Sequence, residues 1–118
     1  MKKVYFATPV NGRNESIFQE KKIAALKRCI EMREWIKECH PDWIITFSFT
    51  VCPINQNMDE TEAMRRCLQL VRHCDIIVLD RRWRLSSGCC EERLEAKHRG
   101  IMILELRDAL NPKIIKTI

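Results

Sequence analysis

The chain has 118 residues, 46% of them hydrophobic, with a formal net charge of +5. That length fits a single domain spanning residues 1–118, and the hydrophobic share supports a real core. Few Gly and Pro and short charge runs exclude a disordered chain, and no Lys/Arg run is long enough for a nucleic-acid arm.

Met1-Lys2-Lys3 opens a basic start with too short an apolar run for a secretory core, and no stretch approaches a membrane span. The expectation is a cytoplasmic protein without a membrane partner. Lys3 to Thr8 reads as a first strand, closed by Pro9 and Gly12. Helix formers run from about Ser16 to Cys39, with Ile23, Leu26 and Ile30 on one face. Pro41 stops them. Trp43 to Phe49 is β-branched and aromatic, a second strand, followed by a loop from Thr50 to Met58. Asp59 and Glu62 have capping-box spacing before a helix whose stripe is Ala63, Cys67, Leu70, Val71 and Cys74.

Asp75 to Asp80 is a continuous apolar run bounded by acids, as suits a central strand covered on both faces. After a loop from Arg81 to Ser87, a helix is predicted from about Gly88 to Arg99, stopped by Gly100. Ile101 to Leu106 reads as another buried strand, and Ile114 to Ile118 as a possible fifth. This alternation predicts a flavodoxin-like (Rossmann-like) three-layer α/β/α fold with a mainly parallel sheet of four to five strands. Ligands of such sheets bind at the strands' carboxyl ends, where strand order reverses. The loops Thr8 to Glu15, Thr50 to Met58 and Asp80 to Ser87 fall there.

The seven cysteines are Cys29, Cys39, Cys52, Cys67, Cys74, Cys89 and Cys90, an odd number with no C-x-x-C pair. They read as free thiols acting as small core residues. His40 beside Cys39 and His73 beside Cys74 raise zinc, but the spacings match no zinc module, so no metal or cofactor is expected. His40, His73 and His98 read as surface residues.

The densest chemistry lies from Trp83 to Ala96: a strand end, a polar loop with Gly88, and a helix carrying Glu91 and Glu92 in its first turn. A helix N-terminus offers unpaired N–H groups that would keep a nearby carboxylate ionised, and an ionised Glu can act as a nucleophile. Acids in a first turn are also ordinary helix-stabilising residues, and a Ser before a helix is an ordinary N-cap. Trp83 has two readings, stacking on a base or packing against the following helix. Asp80 would receive a sugar hydroxyl or a base nitrogen, or cap the next turn. Arg81 and Arg82 would grip a phosphate or stand in solvent. Asn11 and Gly12 follow the first strand and would line the same cleft. With Ala7, Pro9, Asp80, Trp83, Ser86 and Gly88 they complete the candidate substrate-binding set. Asn55-Gln56-Asn57 would close over it or reach into a neighbour.

Tyr5-Phe6-Ala7-Thr8-Pro9-Val10-Asn11-Gly12, together with Trp83, Ser86, Gly88, Glu92 and Ala96 at their intervals, resembles the nucleoside 2-deoxyribosyltransferase superfamily. The likeness is closer to an uncharacterised branch of it, a domain of unknown function. Asp59, Ala63-Met64 and Cys74-Asp75 also fit. The resemblance implies chemistry at an N-glycosidic bond, with Glu92 as nucleophile and Tyr5 orienting it, through a glycosyl-enzyme ester. It implies a nucleoside or nucleotide partner and a homodimer or larger assembly. In the transferases an Asp stands six positions before the nucleophile and helps the base leave. Here that residue is Ser86, which supplies no general acid near neutral pH. Cys89 replaces a Thr, Thr8 a Gly, and Asp80-Arg81-Arg82 a small turn. Three functions follow in order of preference: an N-glycosidic transferase or hydrolase, a non-catalytic nucleotide-binding module, and a basic nucleic-acid binder through Arg81, Arg82, Trp83 and Arg84.

Overall fold

A computed structural model describes residues 1–10, 15–53 and 58–113, without the side chains of 15–19. The elements are β1 (Lys3–Ala7), α1 (Glu15–Cys39), β2 (Ile44–Phe47), α2 (Ser48–Val51), α3 (Glu60–Arg72), β3 (Ile76–Leu79), a 3-10 turn (Trp83–Leu85), α4 (Ser87–His98), β4 (Met102–Glu105) and α5 (Leu106–Ala109). The strands form one parallel sheet in the order β2-β1-β3-β4. The fold is the flavodoxin-like three-layer α/β/α arrangement expected from the alternation. Strand order reverses between β1 and β3, the switch point of such sheets.

Each central strand sorts its side chains by the period of two. Val4, Phe6, Ile76 and Val78 join one core with Cys29, Met32 and Ile36 of α1 and Leu106 and Ala109 of α5. Tyr5, Ala7, Ile77 and Leu79 join a second core with Val71 of α3 and Cys89 and Ala96 of α4. Asp59 caps α3 by accepting from the Glu62 N–H at 2.8 Å. The reciprocal half of the capping box is missing, because the Glu62 carboxylate binds Arg65 and Arg66 instead. Gly100 has φ +66°, the left-handed conformation that ends α4 at little steric cost.

Several expectations are corrected. The buried face of α1 is Ala25, Cys29, Met32 and Ile36, while Ile23 and Ile30 are exposed. The stripe spaced four, three and four extends farther along the helix than the larger isoleucines do. The second strand stops at Phe47 and turns into α2, because the Thr50 hydroxyl accepts the Phe47 N–H at 3.1 Å and so competes with the ladder. β4 is not a buried strand: Met102 is exposed and the rest half-buried, as suits the edge of the described sheet. Ile114 to Ile118, the possible fifth strand, lies outside the described residues, as do Asn55-Gln56-Asn57. Among the described residues, no helix is long and apolar enough to cross a membrane.

His73 and His98 are exposed, but His40 is fully buried. Its ring stacks on Trp43 with centroids 3.7 Å apart, and Nε2 lies 2.9 Å from the Ala109 carbonyl. Nε2 therefore carries a proton and donates, tying the end of α1 to α5 beneath the sheet. Replacing His40 with Ala is expected to lower unfolding stability by about 3 kcal/mol, by opening a cavity and stranding the Ala109 carbonyl. Urea unfolding of the two proteins measures this, and a loss below about 1 kcal/mol would show that α5 is not held by this residue.

Candidate functional site

A cleft of about 1050 Å³ opens at the carboxyl end of the sheet. Its walls come from the segment after β1 (Thr8, Val10), from α2 and the residue after it (Ser48, Phe49, Cys52), from α3, and from the start of α4. Glu92 reaches its wall from the second turn of α4 and is 5% exposed. The Tyr5 hydroxyl donates to Glu92 Oε2 from the adjoining face of β1. Burial pushes the Glu92 carboxyl up to about 7, against the opposing effect of the Tyr5 hydrogen bond, with the neighbouring Glu91 charge adding to the rise. Burial, and then the Glu92 charge, hold the Tyr5 phenol well above its ordinary value.

The helix-end account of Glu92 is corrected by the position of the cap. α4 begins at Ser87, whose predecessor Ser86 accepts the Cys89 N–H at 3.2 Å, so the first turn holds no acid. The macrodipole falls off within that turn. Glu92 ionisation is set instead by burial and by Tyr5.

The structure brings Ser86, Gly88 and Glu92 together on the cleft and places Tyr5 directly behind Glu92. Gly88 lies close under α3, where an added Cβ would sit 3.2 Å from Met64 Cε. Ala7 is sealed in the second core, and Pro9 is half-buried beside Thr8. Asn11 and Gly12 lie outside the described residues. Trp83 takes the packing reading: it rests on the second core, with the Arg84 and Arg93 guanidinium carbons 5.0 and 5.1 Å from the ring. Arg81 and Arg82 are exposed.

Asp80 is buried and fully engaged. Oδ2 accepts from Thr8 Oγ1 at 2.6 Å and Arg28 Nε at 2.9 Å, and Oδ1 from Arg28 Nη2 and the Arg81 N–H, each at 2.7 Å. A carboxylate has about four acceptor sites, so these bonds leave none for a sugar or base. Asp80 therefore ties α1 to the ends of β1 and β3. Burial would raise its pKa, but Arg28 and Thr8 outweigh that and hold it below the ordinary value.

Sequence reasoning missed Arg28 as part of this region, and it reached Cys52 and Met64 only through the loop Thr50 to Met58 and the resemblance, with no role for either. A buried strand-end acid calls for a cation, but nothing in the spacing selects one among 21 Lys and Arg. The α3 stripe was read as core throughout, whereas at its amino end it also faces the cleft. Among the described residues, no group of three or more His, Cys, Asp or Glu side chains is placed to hold a metal ion.

The fold and cleft define a flavodoxin-like α/β domain with a buried tyrosine–glutamate pair at its switch point. Over residues 2–105 the chain matches the family model described as Domain of unknown function (DUF4406), and it belongs to that family. No curated protein and no solved structure matches it.

Two stability predictions follow from the carboxylates. Between pH 4.5 and about 7 the folded protein keeps a proton on Glu92 that the unfolded chain has released, so stability falls as pH rises through that window. Glu92→Gln removes this titration and keeps an acceptor for Tyr5. Its stability gain over wild type should grow from pH 5 to pH 8, reaching on the order of 3 kcal/mol. Thermal unfolding across that range tests it, and a pH-independent difference would contradict the buried placement. Asp80 has the opposite sign: its contribution is complete above the ordinary carboxylate range and is lost as pH falls through its lowered value. Arg28→Met should cost about 2 kcal/mol at pH 7, less than a fully buried pair would lose, because the Arg28 side chain is 36% exposed. The deficit should shrink as Asp80 protonates in acid, as read by urea unfolding at pH 7 and about pH 3.

Proposed function

We propose that this cleft acts on the N-glycosidic bond of a nucleoside or nucleotide, with Glu92 as nucleophile. The observation that carries the reading is the buried Glu92 carboxylate, on the wall of the switch-point cleft and bound by the Tyr5 hydroxyl. The likeness of Tyr5 to Gly12 and Trp83 to Ala96 to the nucleoside 2-deoxyribosyltransferases supports it. Tyr5 fixes one carboxylate oxygen and leaves the other to attack C1′. As the C1′–O bond forms, the C1′–N bond breaks and the base departs with the electron pair, taking its proton from water. Water then attacks C1′ of the ester and frees Glu92, giving hydrolysis. A second base in place of water gives transfer.

A non-catalytic nucleotide-binding module is the second reading. It is favoured by Ser86, which occupies the position of the transferases' acid and whose hydroxyl oxygen serves α4 as its cap.

Both readings are tested by incubating the protein with deoxynucleosides and their 5′-monophosphates and following free base by chromatography. Catalysis predicts base release that falls at least about 10³-fold in Glu92→Gln and about 10²-fold in Tyr5→Phe. The nucleophile must be ionised, so kcat/KM should rise with pH through about 7. Quenched reactions should carry a glycosyl mass on Glu92. Saturable binding without base release, equal in wild type and Glu92→Gln, would establish the binding module and overturn catalysis.

A further inference from the structure

Two thiols meet on the cleft wall. Cys52, the residue after α2, and Cys67, in the middle of α3, have sulfurs 4.0 Å apart. Both line the cleft, Cys52 half-buried and Cys67 6% exposed. Cys67 shares the cleft wall with Glu92, whose carboxylate accepts from the Tyr5 hydroxyl. All seven cysteines are free thiols. A disulfide requires sulfurs about 2.05 Å apart, so the pair must close by roughly 2 Å. Cys52 is the partner placed to move, since it follows a four-residue helix and precedes Pro53, whereas Cys67 is fixed within a thirteen-residue helix.

We propose that Cys52 and Cys67 are a redox modification site, a dithiol that a peroxide converts reversibly into a disulfide beside the Tyr5–Glu92 pair. The inference stands on the sulfur geometry and does not depend on the glycosidic reading. Cys52 is the more accessible thiol and reacts first. Its sulfur attacks a peroxide oxygen, the O–O bond breaks, and the departing hydroxide takes the thiol proton and leaves as water. The Cys67 sulfur then attacks the Cys52 sulfenic acid, the S–O bond breaks, and a second water leaves with the Cys67 proton. Two thiols lose two electrons in all, and one hydrogen peroxide becomes two waters. Burial raises the Cys67 thiol well above its ordinary value, which suits a resolving partner better than a first attacker. Closure brings the Cys52 sulfur onto that of Cys67 and pins the residue after α2 to α3 across the cleft wall.

The test treats the full chain with equimolar hydrogen peroxide under native conditions, alkylates the remaining thiols, and maps non-reduced peptides by mass spectrometry. The expected product has lost two hydrogens, carries alkyl groups on five of the seven cysteines, and yields a cross-linked Cys52–Cys67 peptide. Dithiothreitol should restore all seven thiols, and Cys52→Ser should abolish the cross-link. Cys67→Ser should do the same, with Cys52 trapped as a sulfenic acid by a dimedone probe. The inference is overturned by a different principal pair, by over-oxidation of Cys52 while Cys67 remains alkylatable, or by no loss of hydrogen. Because the readout is mass, a protein that released no base would leave this result unchanged.

Discussion

Residues of β1 alternate between two apolar layers, and the placement of everything at the cleft depends on that alternation. β1 lies between β2 and β3, with Tyr5 paired to Thr46 on one side and Ile77 on the other. Both of its faces are covered, so a slip by one residue would exchange the α1 layer for the α3–α4 layer. Tyr5 would then point at Cys29 and Met32 instead of Glu92. The apolar neighbours Val4 and Phe6 resist that slip, because their own places lie in the α1 core. The hydroxyl that holds Glu92 is thus positioned by side chains that never touch the cleft.

Two carboxylates lie close to this switch point, and their surroundings treat them oppositely. Asp80 is met by a guanidinium, a hydroxyl and a backbone N–H, which together outweigh its desolvation. Its charge stabilises the fold and joins three elements. Glu92 is similarly buried, its desolvation outweighs the one phenolic hydrogen bond it receives, and no guanidinium hydrogen bond to it is seen among the described residues. A carboxylate kept this way costs stability above neutral pH. Arg28 marks the difference: its guanidinium forks onto both oxygens of Asp80.

The sheet was legible in the sequence because strand and helix periods alternate cleanly, above all in Ile76-Ile77-Val78-Leu79 and in the stripe from Cys67 to Cys74. The caps at Asp59 and Gly100 were legible for the same local reason, whereas α4 starts one residue before the predicted Gly88 and is capped by Ser86. What escaped was set by contacts distant in sequence. Arg28 and Asp80 are 52 positions apart, and no periodicity joins them. His40 looked like a polar residue before a proline, yet Trp43 and the Ala109 carbonyl give it a buried seat. The strand ending at Phe47 was overread because Ser48 to Val51 has strand composition, while the Thr50 hydroxyl supplies a turn bond that composition does not register. For the cleft, the resemblance singled out Glu92 and Tyr5, which the structure places in hydrogen-bond contact at its wall. The reason offered for the glutamate's ionisation, a helix end, was not the one the fold provides.

Ser86 is where folding and chemistry make separate demands on one residue. The start of α4 needs an acceptor for the Cys89 N–H, and serine and aspartate meet that need about equally. An aspartate would also bring a titratable proton to the cleft, whereas serine brings only a hydroxyl. Exchanging one for the other therefore leaves α4, and with it Glu92, in place, while on the proposed reading it removes a proton source for a departing base. On the proposed reading, attack by Glu92 is intact and the burden falls on the leaving group. A base that departs readily as an anion, or that water can protonate as it leaves, is the substrate this cleft would favour. A base that needs an acid to leave would bind and stay whole.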